Sequence, residues 1–560
     1  MLVTECAKFC ENTLAPLATT GDSNGAKWLN GNVTGPKGWK EAYAAYAEAG
    51  WQGLTVPEKY GGQGMPQSLG LIKAELVGTA NWTWGMYPGL ALGAANTLLL
   101  HASEAQKAVY LKKLAEGTWL GTMCLTEPHC GTDLGQMRTK AEPQADGTFK
   151  ITGTKIFISC GEHDFTENIV HIVLARLPNA PPGTKGISLF IVPKYLPNAD
   201  GSLAKERNIK CGSIEDKMGI HGSSTCVMNF DASTGFIIGE PNNGLKQMFT
   251  FMNTARIGTA IQGVGASELA YQNSVPYTKE RMSGRAMSGT KQPELAADPI
   301  IHHGDVRRML LTQRAFAEGG RSMLYDAAKI ADGIYVPGAT KEDIDKVEHH
   351  LGLFTPILKG FLTETSLEAA SLGMQVWGGH GYIRANGMEQ IYRDARIGTL
   401  YEGTTGIQAL DLLGRKVMLN KGKLLREYIS RVGSDAIDVL RTHSQLRRYS
   451  MHLLRYTAHW FISSLRLMAQ ARSDREVVSS AANDFLMFSG YVSMAHHWLR
   501  MMAVAQTKLN KGGSASREFY EAKIATGVFY FENLLPRAEG HRIAMQSGSK
   551  TVTKMPKESF

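Results

Sequence analysis

The chain carries 560 residues, 43% hydrophobic and 20% charged, and its 60 Lys and Arg against 51 Asp and Glu give a net charge of +9. That length is too great for one ordinary core, so several domains of a soluble globular protein are expected. So small a basic excess over this length does not argue for a nucleic-acid partner, and it fits an enzyme that handles anionic ligands.

The seven cysteines show neither metal-like nor disulfide-like spacing, which favours a reducing compartment. MLVTECAKFCENTLAP lacks the basic start and apolar core of a signal peptide. The longest apolar run, from Gly89 to Leu100, is too short to span a bilayer, so no transmembrane segment is expected.

Taken in order, residues 1–121 read as an N-terminal helical domain. EAYAAYAEAGW and residues 68–100 are rich in Ala and Leu and break at Gly and Pro. A capping Ser103 opens a further helix that ends on Gly117. Residues 122–240 read as a middle β-domain of antiparallel strands. TFKITGTKIFIS, NIVHIVLARL, KGISLFIVPKY and STCVMNFDA are short β-rich runs punctuated by Gly, Pro, Asn and Asp. NADGSLAKERN reads as a long surface hairpin. Residues 241–414 return to helical periodicity, interrupted by a loose Gly/Ser/Pro stretch from Met282 to Pro299. Residues 415–560 read as an additional helical domain, with no proline between Arg415 and Leu535. The fold class is therefore mainly α with a central β-domain.

No P-loop is present. Gly263-Val264-Gly265 is followed by Glu268 where a dinucleotide fingerprint wants Gly or Ala. The pairs His302-His303 and His349-His350 lack the spacing of a metal site, so no metal is expected. The chain is organised around QVWGGHGYIRANGMEQIYRDARIGTLYEGTTGIQ, from Gln375 to Gln408. Its glycines permit close approach to something flat or phosphorylated. Its carboxylate, Glu402, lies between the uncharged Tyr401 and Gly403; desolvation raises the pKa of such a group and suits it to act as a general base. On these residues alone, a loop joining two buried helices with Glu402 at the surface is an equal reading. TEPHCGTD (Thr126 to Asp133), IFIS (Ile156 to Ser159), and Asn253 and Arg256 precede this stretch. Each is weak alone; in this order they are specific.

In that combination the sequence resembles the acyl-CoA dehydrogenase family over about residues 40–415. The resemblance implies a helical domain, a β-barrel-like domain and a helical bundle, with FAD as cofactor. TEPHCGTD is similar to the family's TEP-x-x-G-S-D. This implies cofactor contacts for Met123, Leu125, Thr126 and Gly131, and places Thr132 near CoA or flavin. IFIS is similar to W-I-T/S and implies Phe157, Ile158 and Ser159 along the isoalloxazine. EDKMGIHGSST, from Glu215, is similar to E-x-K-x-G-x-x-G-S. QVWGGHGY is similar to a segment that holds the flavin nucleotide of a neighbouring subunit, implying Gln375, Gly378 and Gly379. YEGTTGIQ is similar to Y-E-G-T-x-x-I-Q. It implies Glu402 as catalytic base, Thr404 at the cofactor, and Tyr401 and Gly403 at the substrate. Asn253 and Arg256 are likewise implied at the substrate.

Thr132 stands where the family usually has Ser, and Phe157 where it usually has Trp. The family's R-K-T-F-G is represented by Arg281-Met282-Ser283-Gly284-Arg285, of which Arg281 is favoured for the FAD pyrophosphate. The insertion after it and the extra C-terminal domain resemble a larger subgroup that includes 3-methylmercaptopropionyl-CoA dehydrogenases and some long-chain acyl-CoA dehydrogenases.

The implied activity is α,β-dehydrogenation of an acyl-CoA to the trans-2-enoyl-CoA. Glu402 takes the α-proton, the β-hydride goes to flavin, and electrons pass to an electron-transfer flavoprotein. Some members carry the base just before the arginine of the Asn253 helix; here that position is Ala255, which cannot take a proton. The resemblance further implies a homodimer, cytoplasmic in a bacterium or in the mitochondrial matrix of a eukaryote. The other readings are a medium- or long-chain dehydrogenase, an acyl-CoA oxidase returning electrons to O₂, and a flavin-bound binding protein without activity. Trp82, Trp84, Met86 and Tyr87 are either walls of a short acyl cavity or ordinary core. As walls they would favour short acyl groups, with Met suited to a sulfur-containing chain.

Overall fold

The computed structural model describes residues 1–335 and 338–560. They divide into two compact units, residues 1–258 and 259–560.

In the first unit, helices Leu2–Phe9 (α1), Pro16–Asn24 (α2), Trp39–Glu48 (α3) and Gln67–His101 (α4) precede the main sheet. The all-helical reading of this region misses a small hairpin, Lys27–Leu29 paired with Asn32–Thr34. Its two-residue loop, Asn30-Gly31, has φ of 49° and 82°. Both residues tolerate the left-handed region that a tight hairpin turn demands. Helix α4 breaks at Asn81 (φ −161°, ψ 84°). The Asn81 Oδ1 accepts from the Trp84 N–H at 3.1 Å, serving a donor left open by the break, and its amide donates to Leu14 O of an earlier segment at 3.3 Å.

The β-domain is built from Trp119–Cys124 (β1), Lys140–Pro143 (β2), Phe149–Ser159 (β3), Asn168–Arg176 (β4), Ile187–Pro193 (β5), Lys210–Ile214 (β6) and Thr225–Ile238 (β7). The strand order is β6-β7-β3-β2-β4-β1, and β5 pairs with both β4 and β7. The ring β7-β3-β2-β4-β5 is thereby closed, giving the barrel-like form. The pairing is not uniformly antiparallel. β1 runs parallel to β4 from Trp119↔Asn168 to Cys124↔Val173, and β2 meets β4 in parallel at Lys140↔Arg176. β1 enters from the helices rather than from a hairpin, so no tight turn reverses it against its neighbour. NADGSLAKERN forms the expected hairpin, Tyr195–Pro197 against Leu203–Arg207.

Helix Gly244–Glu280 (α5) begins in the first unit and continues into the second. The stretch Met282–Pro299 is not loose. It folds around the buried Asp298 carboxylate, which accepts the N–H groups of Ala286, Lys291 and Gln292, each at 2.9 Å, and the Arg285 guanidinium at 3.3 Å. Those backbone bonds hold the carboxyl well below its usual range.

The second unit continues with Gly304–Asp332 (α6), Lys341–Trp377 (α7), Met388–Arg396 (α8) and Thr405–Leu410 (α9). Lys423–Thr442 (α10), Arg447–Gln470 (α11), Glu476–Lys511 (α12), Arg517–Phe529 (α13) and Arg537–Ala544 (α14) follow. Glycines let α12 close on α7: a Cβ at Gly360 would lie 2.8 Å from Leu486, and one at Gly490 would lie 2.2 Å from Phe361. Asp326 of α6 is a polar joint that ties α6 to α10 and α12. It accepts two bonds from Arg431 of α10, at 2.9 and 2.7 Å, and one from Arg500 of α12 at 3.1 Å. Burial alone would raise this carboxyl; the cationic groups around it, the Arg431 and Arg500 guanidiniums among them, overcome it and hold the pKa at about 2. Burial also pushes His497 well below the ordinary histidine value and His350 down to about 4.

These shifts set a pH window. Both histidines have folded pKa values below their unfolded ones, so the unfolded chain takes up protons that the folded chain refuses. Their stabilising share is complete above ~6.5 and is lost as pH falls toward about 4. The share of Asp326 survives that window and is lost only toward about 2. The melting temperature is expected to fall from pH 7 to pH 5, and the double variant His350→Leu/His497→Leu to flatten that fall. Melting curves recorded across this range check it; an equally steep fall in the variant would clear these histidines.

Candidate active site

In the first unit the site begins where β1 ends. The TEPHCGTD segment turns sharply, with Glu127 and Cys130 exchanging backbone bonds at 2.9 and 3.1 Å. The buried Glu127 carboxylate anchors it, accepting from Lys155 Nζ (2.9 Å), Thr139 Oγ1 (2.6 Å) and the N–H groups of Arg138 (2.8 Å) and Thr139 (3.0 Å). Burial raises this carboxyl, but the Lys155 ammonium and the Thr139 bonds outweigh it and hold it below the usual range. Burial lowers the Lys155 ammonium in turn. Lys155 also donates to Leu125 O at 2.9 Å, so one fully buried side chain fixes both ends of Leu125–Glu127. The nearby His129 and Cys130 complete a group of three potential metal-binding side chains with Glu127. The Glu127 oxygens are already occupied by these donors.

β3 lies alongside. The Ile156 N–H donates to Thr126 O at 2.9 Å. Opposite it the pairing slips: Ile158 faces Cys226, but Lys155 faces Met228, so β3 carries one residue more than β7. This bulge bends the strand and re-aims a side chain. Phe157 takes up the excess, with φ 59°, and the residue is 59% exposed. The structure thus gathers Met123, Leu125, Thr126, Phe157 and Ser159 on adjoining strand ends, with Gly131 and Thr132 exposed on the loop beside them. Ile158 differs: its side chain lies in the β-domain core, leaving its main chain as the part available to a ligand. Asn253 and Arg256 follow on α5, one exposed and the other buried with its guanidinium 5.9 Å from the Phe249 ring centroid.

The wall candidates separate. Trp84, Met86 and Tyr87 are core. The Trp84 indole donates to Trp39 O, and the Tyr87 hydroxyl donates to Gly222 O and accepts from the Ser224 N–H, each at 3.2 Å. Trp82, one residue past the break in α4, instead reaches α5, where its ring tip would lie 3.9 Å from a Cβ at Gly258.

In the second unit, Tyr401–Thr404 is a turn ahead of α9. Glu402 is half-buried with φ 57°, and Gly403 follows with φ 89°. A non-glycine residue held in that region costs on the order of 1–3 kcal/mol and persists only where its surroundings enforce it. The surroundings are visible. Tyr401 Oη donates to Gln262 Oε1 at 2.6 Å, and Gln262 Nε2 donates to Asp394 O at 2.8 Å. Gln408 Nε2 donates to Glu402 O at 3.0 Å and Lys359 Nζ donates to Gly403 O at 2.6 Å. A Cβ at Gly403 would come within 2.7 Å of Gln408 Nε2, so only glycine fits. Thr404 Oγ1 accepts from the Ile407 N–H at 3.3 Å and caps α9. The uncharged surroundings expected of Glu402 hold along the sequence but not in space, because Lys359 brings an ammonium to this turn. Sequence reading missed Lys359, although a lone lysine in the apolar run LFTPILKGFL was the available signal. Gln262 gave none.

Gln375, Gly378 and Gly379 lie elsewhere, exposed at the end of α7. Trp377 stacks on Tyr277 there, with centroids 4.1 Å apart, and a Cβ at Gly378 or Gly379 would meet nothing within 4 Å. Gly378 stands 19 positions beyond Lys359, at the end of the same helix, about 28 Å at 1.5 Å per residue. The organising stretch Gln375–Gln408 therefore serves two places. Arg281 ends α5 with its side chain exposed, whereas Arg285 is spent inside the Asp298 loop on Asp298, Gln292 O and Leu295 O.

Four family models match consecutive parts of the chain: the acyl-CoA dehydrogenase N-terminal domain (residues 1–118), its middle domain (122–233), its C-terminal domain (242–418) and the acetyl-CoA dehydrogenase C-terminal-like domain (427–556). The chain belongs to the acyl-CoA dehydrogenase family. It is 41% identical to the 3-methylmercaptopropionyl-CoA dehydrogenase of Ruegeria pomeroyi, over 98% of this chain and 92% of that one. It is 32% identical to the broad-specificity linear acyl-CoA dehydrogenase FadE5 of Mycobacterium tuberculosis, over 100% and 94%. Among solved structures, the acyl-CoA dehydrogenase of Bacillus anthracis complexed with FAD shares the fold with a TM-score of 0.76, 21% identity, and coverage of 98% of this chain and 88% of that one. Butyryl-CoA dehydrogenase from Megasphaera elsdenii gives 0.61 at 26% identity, over 74% and 96%.

The protein is thus an acyl-CoA dehydrogenase, and FAD is the cofactor of its family. The first unit suits such a group: an exposed aromatic ring on a bulge stands beside strand-end backbone and the Thr126 segment, as a flat heterocycle with hydrogen-bonding edges requires. No helix among the described residues is long and apolar enough to cross a membrane.

The anchor of this surface is open to test. Lys155→Met leaves a buried carboxylate without its cation, which costs ~3–5 kcal/mol. The variant is expected to melt well below the native protein, and Glu127→Gln/Lys155→Met to recover part of the loss. Thermal melts of the three proteins decide it; an unchanged melt in the single variant would show that the pair does not hold the segment.

Proposed function

We propose that the substrate is a short acyl-CoA, with 3-methylmercaptopropionyl-CoA the first candidate, and that Glu402 is the base that removes its α-proton. The observation that carries the base assignment is the Glu402 turn: one carboxylate, half-buried, held left-handed by bonds from three other segments of the second unit. A base must meet the α-carbon in one geometry, and its basicity rises when substrate expels water. The Glu402 N–H is the proposed donor to the thioester oxygen, where charge develops during proton removal. A bound FAD would supply the acceptor for the β-hydride, and removal of the α-proton together with that hydride gives the trans-2-enoyl-CoA. Met123, Leu125, Thr126, Gly131, Thr132, Phe157, Ser159 and the Ile158 main chain are the residues proposed to hold the isoalloxazine side, and Thr404 is also proposed as a cofactor residue. Arg281, whose exposed side chain makes no hydrogen bond among the described residues where Arg285 is committed, is proposed for the pyrophosphate. Asn253, Arg256, Tyr401 and Gly403 are proposed to contact substrate, with Thr132 shared. An electron-transfer flavoprotein is the proposed electron acceptor.

Glu402→Gln is expected to keep FAD and substrate affinity and to slow flavin reduction by 10²–10⁴-fold or more, since the amide cannot accept the proton. Anaerobic stopped-flow mixing with acyl-CoA checks it; near-native bleaching would remove Glu402 from the role.

The short-chain reading rests on the 41% identity above and on Trp82. Its indole approaches the helix that bears Asn253 and Arg256, with its tip 3.9 Å from a Cβ at Gly258, and its bulk is proposed to limit acyl depth there. Rates across an acyl-CoA series with an artificial acceptor are expected to peak at short chains, and Trp82→Ala to move the peak to longer ones. A native maximum at palmitoyl-CoA would overturn the short-chain reading and leave the enzyme class untouched.

We also propose a homodimer. Gln375, Gly378 and Gly379 are exposed, face open space, and lie far along α7 from the Glu402 turn, which suits service to a flavin held by a second subunit. Light scattering of the yellow holoprotein is expected to give a dimer mass; a monomer with full flavin occupancy would contradict it.

A further inference from the structure

Lys359 is out of character with its helix. It is fully buried in α7, where Ile357, Leu358, Phe361 and Leu362 are buried too. An ammonium taken from water into such a place is expensive unless its donors are used. One donor is used on Gly403 O, at 2.6 Å. Gln408, also fully buried, approaches from the other side of the turn and donates to Glu402 O at 3.0 Å and to Gly403 O at 3.5 Å. Its Oε1 has no partner among the described residues. Turning the amide over would set that oxygen against two carbonyl oxygens, so the orientation with Nε2 on the turn is the one the chemistry allows.

Two successive carbonyl oxygens are therefore clamped by two side chains from different helices. Among the described residues of the second unit, consecutive left-handed residues occur at Lys421-Gly422 and at Glu402-Gly403, and the clamp falls on the latter pair. Because each peptide is planar, fixing the carbonyls of residues 402 and 403 turns the N–H groups of residues 403 and 404 to the opposite side. With φ of Glu402 at 57° and the following peptide held, the direction of its Cα–Cβ bond relative to its own N–H is set. We propose that Lys359 and Gln408 are positioning residues: they hold the Glu402 carboxylate and the Glu402 N–H at the angle needed to meet one acyl-CoA together. This rests on the reading of Glu402 as the base. Neither side chain is required to touch substrate or flavin.

The test compares native holoenzyme with Lys359→Met, Gln408→Met and Glu402→Gln. Methionine keeps much of the volume of either side chain and removes the donor. Three quantities are read: the dissociation constant of a non-reactive acyl-CoA analogue from the flavin spectrum, the rate of anaerobic flavin reduction, and the long-wavelength band formed with a 3-thiaacyl-CoA. That ligand has sulfur where the hydride-giving carbon would be, so the band reports α-proton removal alone. Amide hydrogen exchange over residues 401–408 adds a readout independent of turnover. The expected result in both methionine variants is analogue binding within about threefold of native, reduction slowed ~10²-fold by a misplaced base, a weakened 3-thiaacyl band, and faster exchange in the turn. Native rates and a native band in both variants, with Glu402→Gln inactive, would overturn the positioning role and leave the base in place. Native reduction in Glu402→Gln would instead overturn the base and this inference with it. Should Lys359→Met fail to yield holoenzyme, Gln408→Met decides alone, because its rate and analogue affinity separate on the same terms.

Discussion

The Glu402 turn of the second unit is organised around one buried contact: the ammonium of Lys359 against the carbonyl of Gly403. A helix delivers the cation, and a turn that the backbone would otherwise avoid receives it. The helix is held in place by α12, which approaches closely only because residues 360 and 490 are glycine. The extra C-terminal helices therefore act on the Glu402 turn through packing. They support the helix that supports the turn, and Asp326 with its two arginines ties α6 to two of them, α10 and α12.

The first unit uses the same device on a strand. Lys155 and Glu127 are buried together, and the pair spends its donors and acceptors on the backbone of the segment that follows β1. The bulge next to Lys155 then turns Phe157 outward. In both units a buried lysine is placed beside an irregular stretch of main chain. The physical logic is shared: irregular backbone leaves polar groups that the regular ladder cannot serve, and a long cationic side chain can reach them from a rigid neighbour.

Much of this was legible in the sequence. Periodicity gave helices on both sides of a β-rich centre, and TEPHCGTD, IFIS, QVWGGHGY and YEGTTGIQ gave the family, because local motifs are written in contiguous residues. What periodicity could not report was direction and closure. Nothing in WLGTMC states that it pairs parallel to NIVHIV, since strand direction is decided by where the chain comes from. The Asn30-Gly31 hairpin was written in the sequence and overlooked beside the helices around it.

The sequence by itself determined the fold family, the candidate base and the glycines that accompany it, because those are set by residue type at short spacing. Tertiary structure alone decided which of the aromatics from Trp82 to Tyr87 face the core, since a break at Asn81 rather than a helical period sets their directions. It alone separated Gln375–Gly379 from the Glu402 turn, and it alone brought Lys359 to Gly403, 44 residues away along the chain. Those outcomes rest on long-range packing of buried groups, and a pairing of that kind leaves no trace in the residues on either side of it.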